Sequence, residues 1–193
     1  MPRPALSVLL LSAVLAAGCG GATFIPSSVP PAASAQRATL GWVESAGSPT
    51  SRLVFRVRSF TVKPGSWAAD ISFTNDTSAT FSIEHADDVL DEGLGIMLFD
   101  SGSHGELERR NTQQALPVLR RAATFTPTLP ASLVPHATWS GTASARGALP
   151  AGLWVRFVFG TFVPRKEMPD SLKREGVRDF LIWITDHAHQ LKS

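Results

Sequence analysis

The stretch "SWAADISFTNDTS", residues 66–78, decides the fold class. Trp67, Ala69, Ile71 and Phe73 fall on one side of an extended chain, and Ala68, Asp70, Ser72 and Thr74 on the other. A period of two is the mark of a half-buried β-strand, and Asn75-Asp76 supplies turn chemistry at its end. The following "ATFSIE" puts Phe81 and Ile83 on one face, so the two segments are expected to pair as a β-hairpin. Upstream, "RLVFRVRSFTV" alternates Leu53, Phe55 and Val57 with Arg52, Arg56 and Arg58. Phe60 and Val62 then take the opposite parity, which predicts a β-bulge near Arg58-Ser59. Pro64-Gly65 closes that strand with a turn.

The same signals recur downstream. "LGIMLF", "LPVLRRAATF", "TWSGTAS", "GLWVRFVFGTFV" and "FLIWIT" are short runs rich in β-branched or aromatic residues, set between Gly, Pro, Asn or Asp. Residues 153–163 are apolar on both parities, as expected of a central strand covered on both faces. About eight strands at this spacing predict an all-β sandwich, with short helices confined to "HADDVLDEG" (85–93) and "EMPDSLKREG" (167–176). "SGSHGE", residues 101–106, reads as a turn. Eleven Phe and five Trp supply the apolar bulk of a core.

The order of these segments resembles a known group. "FTNDTSATFSIE" is similar to the Asn-x-Ser/Thr turn of immunoglobulin-like domains in bacterial lipoproteins. "LVPHATWSGTASARGALPAGLWVRFVFG" is similar to their late hairpin, with His136 where the family carries Gly. Members include the intracellular-proteinase-inhibitor type and families of unassigned function. The resemblance spans roughly residues 50–162; it implies an immunoglobulin-like sandwich and brings no catalytic residues.

The N-terminus sets the compartment. Met1 to Pro4 carry one Arg, Ala5 to Ala17 are apolar, and the chain's one cysteine follows as Cys19 in "LSAVLAAGCGG". An apolar run of roughly 13 residues spans about 20 Å as a helix, short of the ~30 Å core of a bilayer. It suits a secretory signal. "LAAGC" resembles the lipobox of bacterial lipoproteins, with Ala16 in the place usually held by Leu. The resemblance implies cleavage before Cys19 and acylation of its thiol, with the palmitate or related chains as the membrane anchor. Gly20 is not Asp, which under the family's sorting rule implies the outer membrane where the source has two membranes. The expected organisation is a signal peptide at 1–18, a lipid-anchored Gly/Ala/Ser/Pro linker at 19–37 and a β-sandwich at 38–193.

Charge narrows the functional classes. The chain has 18 basic and 16 acidic residues, and removal of 1–18 takes only Arg3, leaving 17 against 16. No concentrated basic face and no nucleic-acid binding are expected from that balance. Motifs for nucleophilic, nucleotide or zinc chemistry are missing from the sequence. The metal candidates are Asp87, Asp88, Asp91 and Glu92, whose clustered oxygens suit calcium, and His187 and His189, which share a face if the last strand continues. Trp42 and Trp139 are expected to be the most exposed of the five Trp and so the candidates for a flat ligand such as a glycan, with core packing the expected role of every Trp. No cofactor is implied. The expected function is a non-enzymatic interaction module of the envelope, held at a membrane through Cys19 and meeting an envelope protein partner. A metal- or glycan-binding accessory module is the alternative, and a hydrolase a more remote one.

Overall fold

The computed structural model describes residues 30–83 and 93–193. Cys19, the expected signal segment and the acidic run Asp87, Asp88, Asp91 and Glu92 lie outside the described residues. In chain order the elements are β1 (Gln36–Ser48), β2 (Ser51–Lys63), β3 (Ser66–Asn75), β4 (Phe81–Ile83), β5 (Gly95–Phe99), α1 (His104–Thr112), β6 (Arg120–Arg121) and β7 (Thr124–Thr126). There follow β8 (Ser132–Leu133), β9 (Thr138–Arg146), β10 (Trp154–Pro164), α2 (Asp170–Lys173), β11 (Leu181–Ile184) and β12 (His189–Gln190). Two antiparallel sheets form an all-β sandwich. There are twelve strands among the described residues, against about eight expected, because β6, β8 and β12 are two-residue pairings too short to show a period.

The first sheet runs β1-β2-β3-β9-β7. Its β2–β3 hairpin turns at Pro64-Gly65, where Gly65 takes a φ of +75° that a side chain would resist. The register slips between Val57 and Ser59, where the change of parity in β2 predicts a bulge. In the second sheet β10 is central. Trp154 pairs with Phe99 of β5 and Gln190 of β12; Phe162 pairs with Ile83 of β4 and Leu181 of β11. Strands β4 and β5 therefore follow one another along one edge of β10, and β11 and β12 along the other.

The core lies between the sheets. Phe55 and Phe73 meet Phe162 with ring centroids 5.8 and 5.3 Å apart, and Phe55 meets Phe159 at 5.1 Å. The outer face of β10 is covered as well. There Val158 packs with Met97, Phe99, Leu119 and Leu107 of α1, so the strand apolar on both parities is buried on both faces.

Three local expectations change. Residues β3 and β4 do not form a hairpin: β3 pairs with β2 and β9, while β4 pairs with β10 and β8 in the opposite sheet. The crossing is organised by Asn75, which is wholly buried. Its amide donates to the carbonyls of Ala79 (2.7 Å) and Leu133 (3.0 Å) and its oxygen accepts from the Thr77 backbone and hydroxyl. Phe73 and Phe81 thereby enter the same core from opposite layers. Second, "SGSHGE" is not a turn alone but the start of α1. Ser103 caps it, accepting from the Glu106 N–H at 3.3 Å. Third, the sandwich begins before residue 38. Ala33 is buried with its N–H on the Leu149 carbonyl, Ala151 donates to Pro31, and Ser34 donates to Lys192.

Candidate functional site

The densest polar cluster forms where the far half of β1 meets the break between β11 and β12. Alternation along β1 turns Leu40, Trp42 and Glu44 inward toward the second sheet. Strand β11 ends at Ile184 instead of continuing. Thr185 folds in, its N–H on the Phe157 carbonyl, its hydroxyl accepting from the Phe157 N–H and donating to the His187 carbonyl.

Glu44 is the hub of this break. Its side chain is 7% exposed, and both oxygens are in use. Oε2 accepts from Trp183 Nε1 (2.8 Å) and the Asp186 N–H (3.0 Å); Oε1 accepts from the His187 N–H (3.2 Å) and lies 2.7 Å from His187 Nδ1. A buried carboxylate needs this degree of satisfaction to persist in place of an apolar residue. The His187 ring lies flat on Trp42, centroids 5.4 Å apart. Across the break, His104 at the head of α1 faces Asp186 through Nδ1 (3.3 Å) and Glu108 through Nε2 (3.2 Å).

Beneath these groups Arg156 is fully buried on the outer face of β10. Its guanidinium donates to the carbonyls of Thr185 (2.8 Å), Asp186, Gly102 (3.0 Å) and Ser103 (2.8 Å), and sits 5.4 Å from the Phe99 ring centre. One cation thus ties the β11–β12 break to the approach of α1. Burial pushes its pKa down, and the carboxylates of Asp186, Glu44 and Glu106 act against that. Burial likewise pushes the Glu106 carboxyl up. The Arg110 hydrogen bond and backbone donors at Ser101 and Asp100 outweigh it and hold the group below its usual range.

The candidate histidine pair is not assembled. His187 and His189 do not alternate along one strand, because Thr185 and Asp186 interrupt it. The His187 ring is taken by Trp42 and Glu44, while the His189 ring packs edge-on to Phe60 and its Nε2 is buried with no hydrogen-bond partner. Burial, and then Lys192, lower the His189 pKa. Among the described residues no three His, Cys, Asp or Glu side chains stand together as a metal site. Nor are Trp42 and Trp139 exposed faces for a ligand. Trp139 is 6% exposed, stacked on Phe73, with Nε1 donating to the Thr128 carbonyl at 3.2 Å. Trp42 is half-buried between His187 and Phe157. The inward parity of both strands explains this: each Trp sits in phase with core residues.

Reading the sequence alone missed Glu44, Arg156 and Glu106. Arg156 breaks an apolar strand, and Ser103-His104-Gly105-Glu106 has the Ser-x-x-Glu spacing of a helix start, so both were open to detection. Glu44 was not, since nothing local marks it as buried. Chemically the cluster is a brace: its carboxylates and cations bond to one another and to backbone groups, with only Glu106 Oε2 and Arg156 Nε of these groups buried and unpartnered. No family model, curated protein or solved structure matches this chain.

Proposed function

We propose that this protein is an exported lipoprotein of the bacterial cell envelope, anchored through acylated Cys19, whose β-sandwich serves as a non-enzymatic interaction module. The observation that carries the reading is the single cysteine placed directly after an apolar run in "LAAGC", twelve residues before the sandwich begins at Pro31. That spacing allows a reach of at most about 40 Å from the anchor to the folded domain. Strand β1 supports the interaction role. It is thirteen residues long, stands at the edge of its sheet, and has no strand on its outer side among the described residues. Such an edge can accept a strand from a partner. The polar cluster braces the scaffold, and the edge is left as the surface for recognition.

The test is metabolic labelling with an alkyne analogue of palmitate, followed by membrane fractionation. Wild type is expected to carry label and sediment with membranes, and Cys19→Ala to carry none. Label retained by Cys19→Ala, or absent from wild type, removes the anchor from the account.

A further inference from the structure

The near-neutral balance of the sequence conceals a segregation of charge. On the first sheet, the face turned away from the core carries Arg37 of β1, Arg56, Arg58 and Lys63 of β2, and Arg146 of β9, all exposed. The only carboxylate described on that face is Asp70. This corrects the expectation that no concentrated basic face would form.

Between and beside the cations lies a field of hydroxyls. Brought together by the strand register, Ser59 and Thr142 donate to Asp70 at 2.6 and 2.8 Å, Arg58 reaches Ser140 at 2.5 Å, and Thr74 meets Thr138 at 2.8 Å. Those hydroxyl bonds, Ser59 first, hold the Asp70 carboxyl below its usual range. At the end of the sheet where β1 begins, a cleft of about 560 Å³ is lined by Lys63, Arg146, Arg121, Ser66, Thr61 and Ser144 among others. Among the described residues none of Arg37, Arg56, Arg58, Lys63 and Arg146 forms an ion pair.

We propose that this face docks on an anionic phospholipid surface, its guanidinium, ammonium and hydroxyl groups meeting headgroup phosphates and the cleft receiving one of them. Three observations select that occupant. The face is a five-stranded sheet about 19 Å from first strand to last, broad enough to lie along an extended surface. Every aromatic residue of its strands points into the core, so the face has no ring on which a nucleobase or sugar could stack. The chain enters the sandwich at its cationic end: Gln36 is paired with Val62, one residue from Lys63, and the residues before it run on along the loop that bonds to Gly65 through Gly147, with Ala33 on Leu149 and Pro31 on Ala151. Several cations near an anionic leaflet each favour the bound state by an amount that salt screens within about 10 Å at 0.1 M. Docked this way, the protein keeps the β1 edge lateral and open.

The inference rests on the anchored reading for which surface is within reach, but its test does not need the lipid. The full chain carrying Cys19→Ala is sedimented with vesicles of phosphatidylcholine alone or with one-third phosphatidylglycerol, so that any binding through the apolar N-terminal run appears in both. Preferential binding to the anionic vesicles is expected, lost between about 0.1 and 0.5 M salt. Arg56→Gln/Lys63→Gln/Arg146→Gln is expected to reduce that preference at least tenfold at an unchanged melting temperature. The control Arg109→Gln/Arg174→Gln/Arg178→Gln, which removes equal charge elsewhere, should leave it within twofold. Equal binding to both vesicles, equal loss in the two variants, or tighter binding to double-stranded DNA or heparin at matched salt would overturn the proposal. A failure of Cys19 labelling would instead strike the anchor and leave this result standing.

Discussion

Phe162→Ala is expected to lower the unfolding free energy by about 3–5 kcal/mol. Phe162 is wholly buried and joins the two layers: its ring meets Phe55 and Phe73 of the first sheet, while its backbone pairs with both β4 and β11. Packing at near-crystalline density leaves little room for neighbours to close the resulting cavity. For a domain of this size the melting temperature should fall on the order of 10 °C. Phe162→Leu keeps most of the volume and should cost about a third as much, which gives a graded readout by chemical denaturation even if the Ala variant does not fold. Equal, small losses in both variants would mean that the sheets do not meet through this residue.

Arg156→Met is the second large effect, expected at about 2–4 kcal/mol. Methionine fills the space beside Phe99 but cannot donate, so the carbonyls of Thr185, Asp186, Gly102 and Ser103 lose the guanidinium together. Leaving buried acceptors unpaired is costlier than replacing a polar pair as a whole. Arg156→Lys should be only a partial rescue, because a single ammonium cannot fork to two pairs of carbonyls on opposite sides. The loss should also be local. Hydrogen exchange is expected to accelerate first at residues 100–106 and 184–188, ahead of β2 and β3. Wild-type stability and exchange in the Met variant would show that the brace contributes nothing.

These two residues mark what was legible in the chain and what was not. Period-two alternation identified β2 and β3, each with one face against the intersheet core, and a run apolar on both parities identified β10, which is covered on both faces. The slip after Val57 was visible for the same reason: a bulge must reverse parity. Which sheet a strand joins is a different matter. The Asn75-Asp76 signal announces a turn, but it cannot say that the buried Asn75 amide will carry the chain across to the other layer. Polar burial was equally hidden. Glu44 lies in an alternating strand like any solvent-facing acid, and only contact with Trp183 and residues 186–187, some 140 positions away in the chain, makes it a hub. Packing, the expected role of each Trp, holds for both ligand candidates, and parity explains it: Trp139 is in register with Phe73, and Trp42 is in phase with Leu40 and Glu44. The basic face was missed because net charge sums over both faces of a strand, whereas alternation had placed Arg56 and Arg58 outward and their acidic counterparts elsewhere.

The central claim is that an anchored sandwich presents the β1 edge to a protein partner. A photo-crosslinking residue placed at Val43, half exposed on the edge strand at the rim of the basic face, tests it directly in native membranes, with Arg178 as the distant control position. The account predicts one dominant protein adduct from Val43 in the anchored chain, none from Arg178, and loss of the Val43 adduct when Cys19→Ala is combined with it. An identical spread of adducts from both positions, or none from Val43, would contradict it.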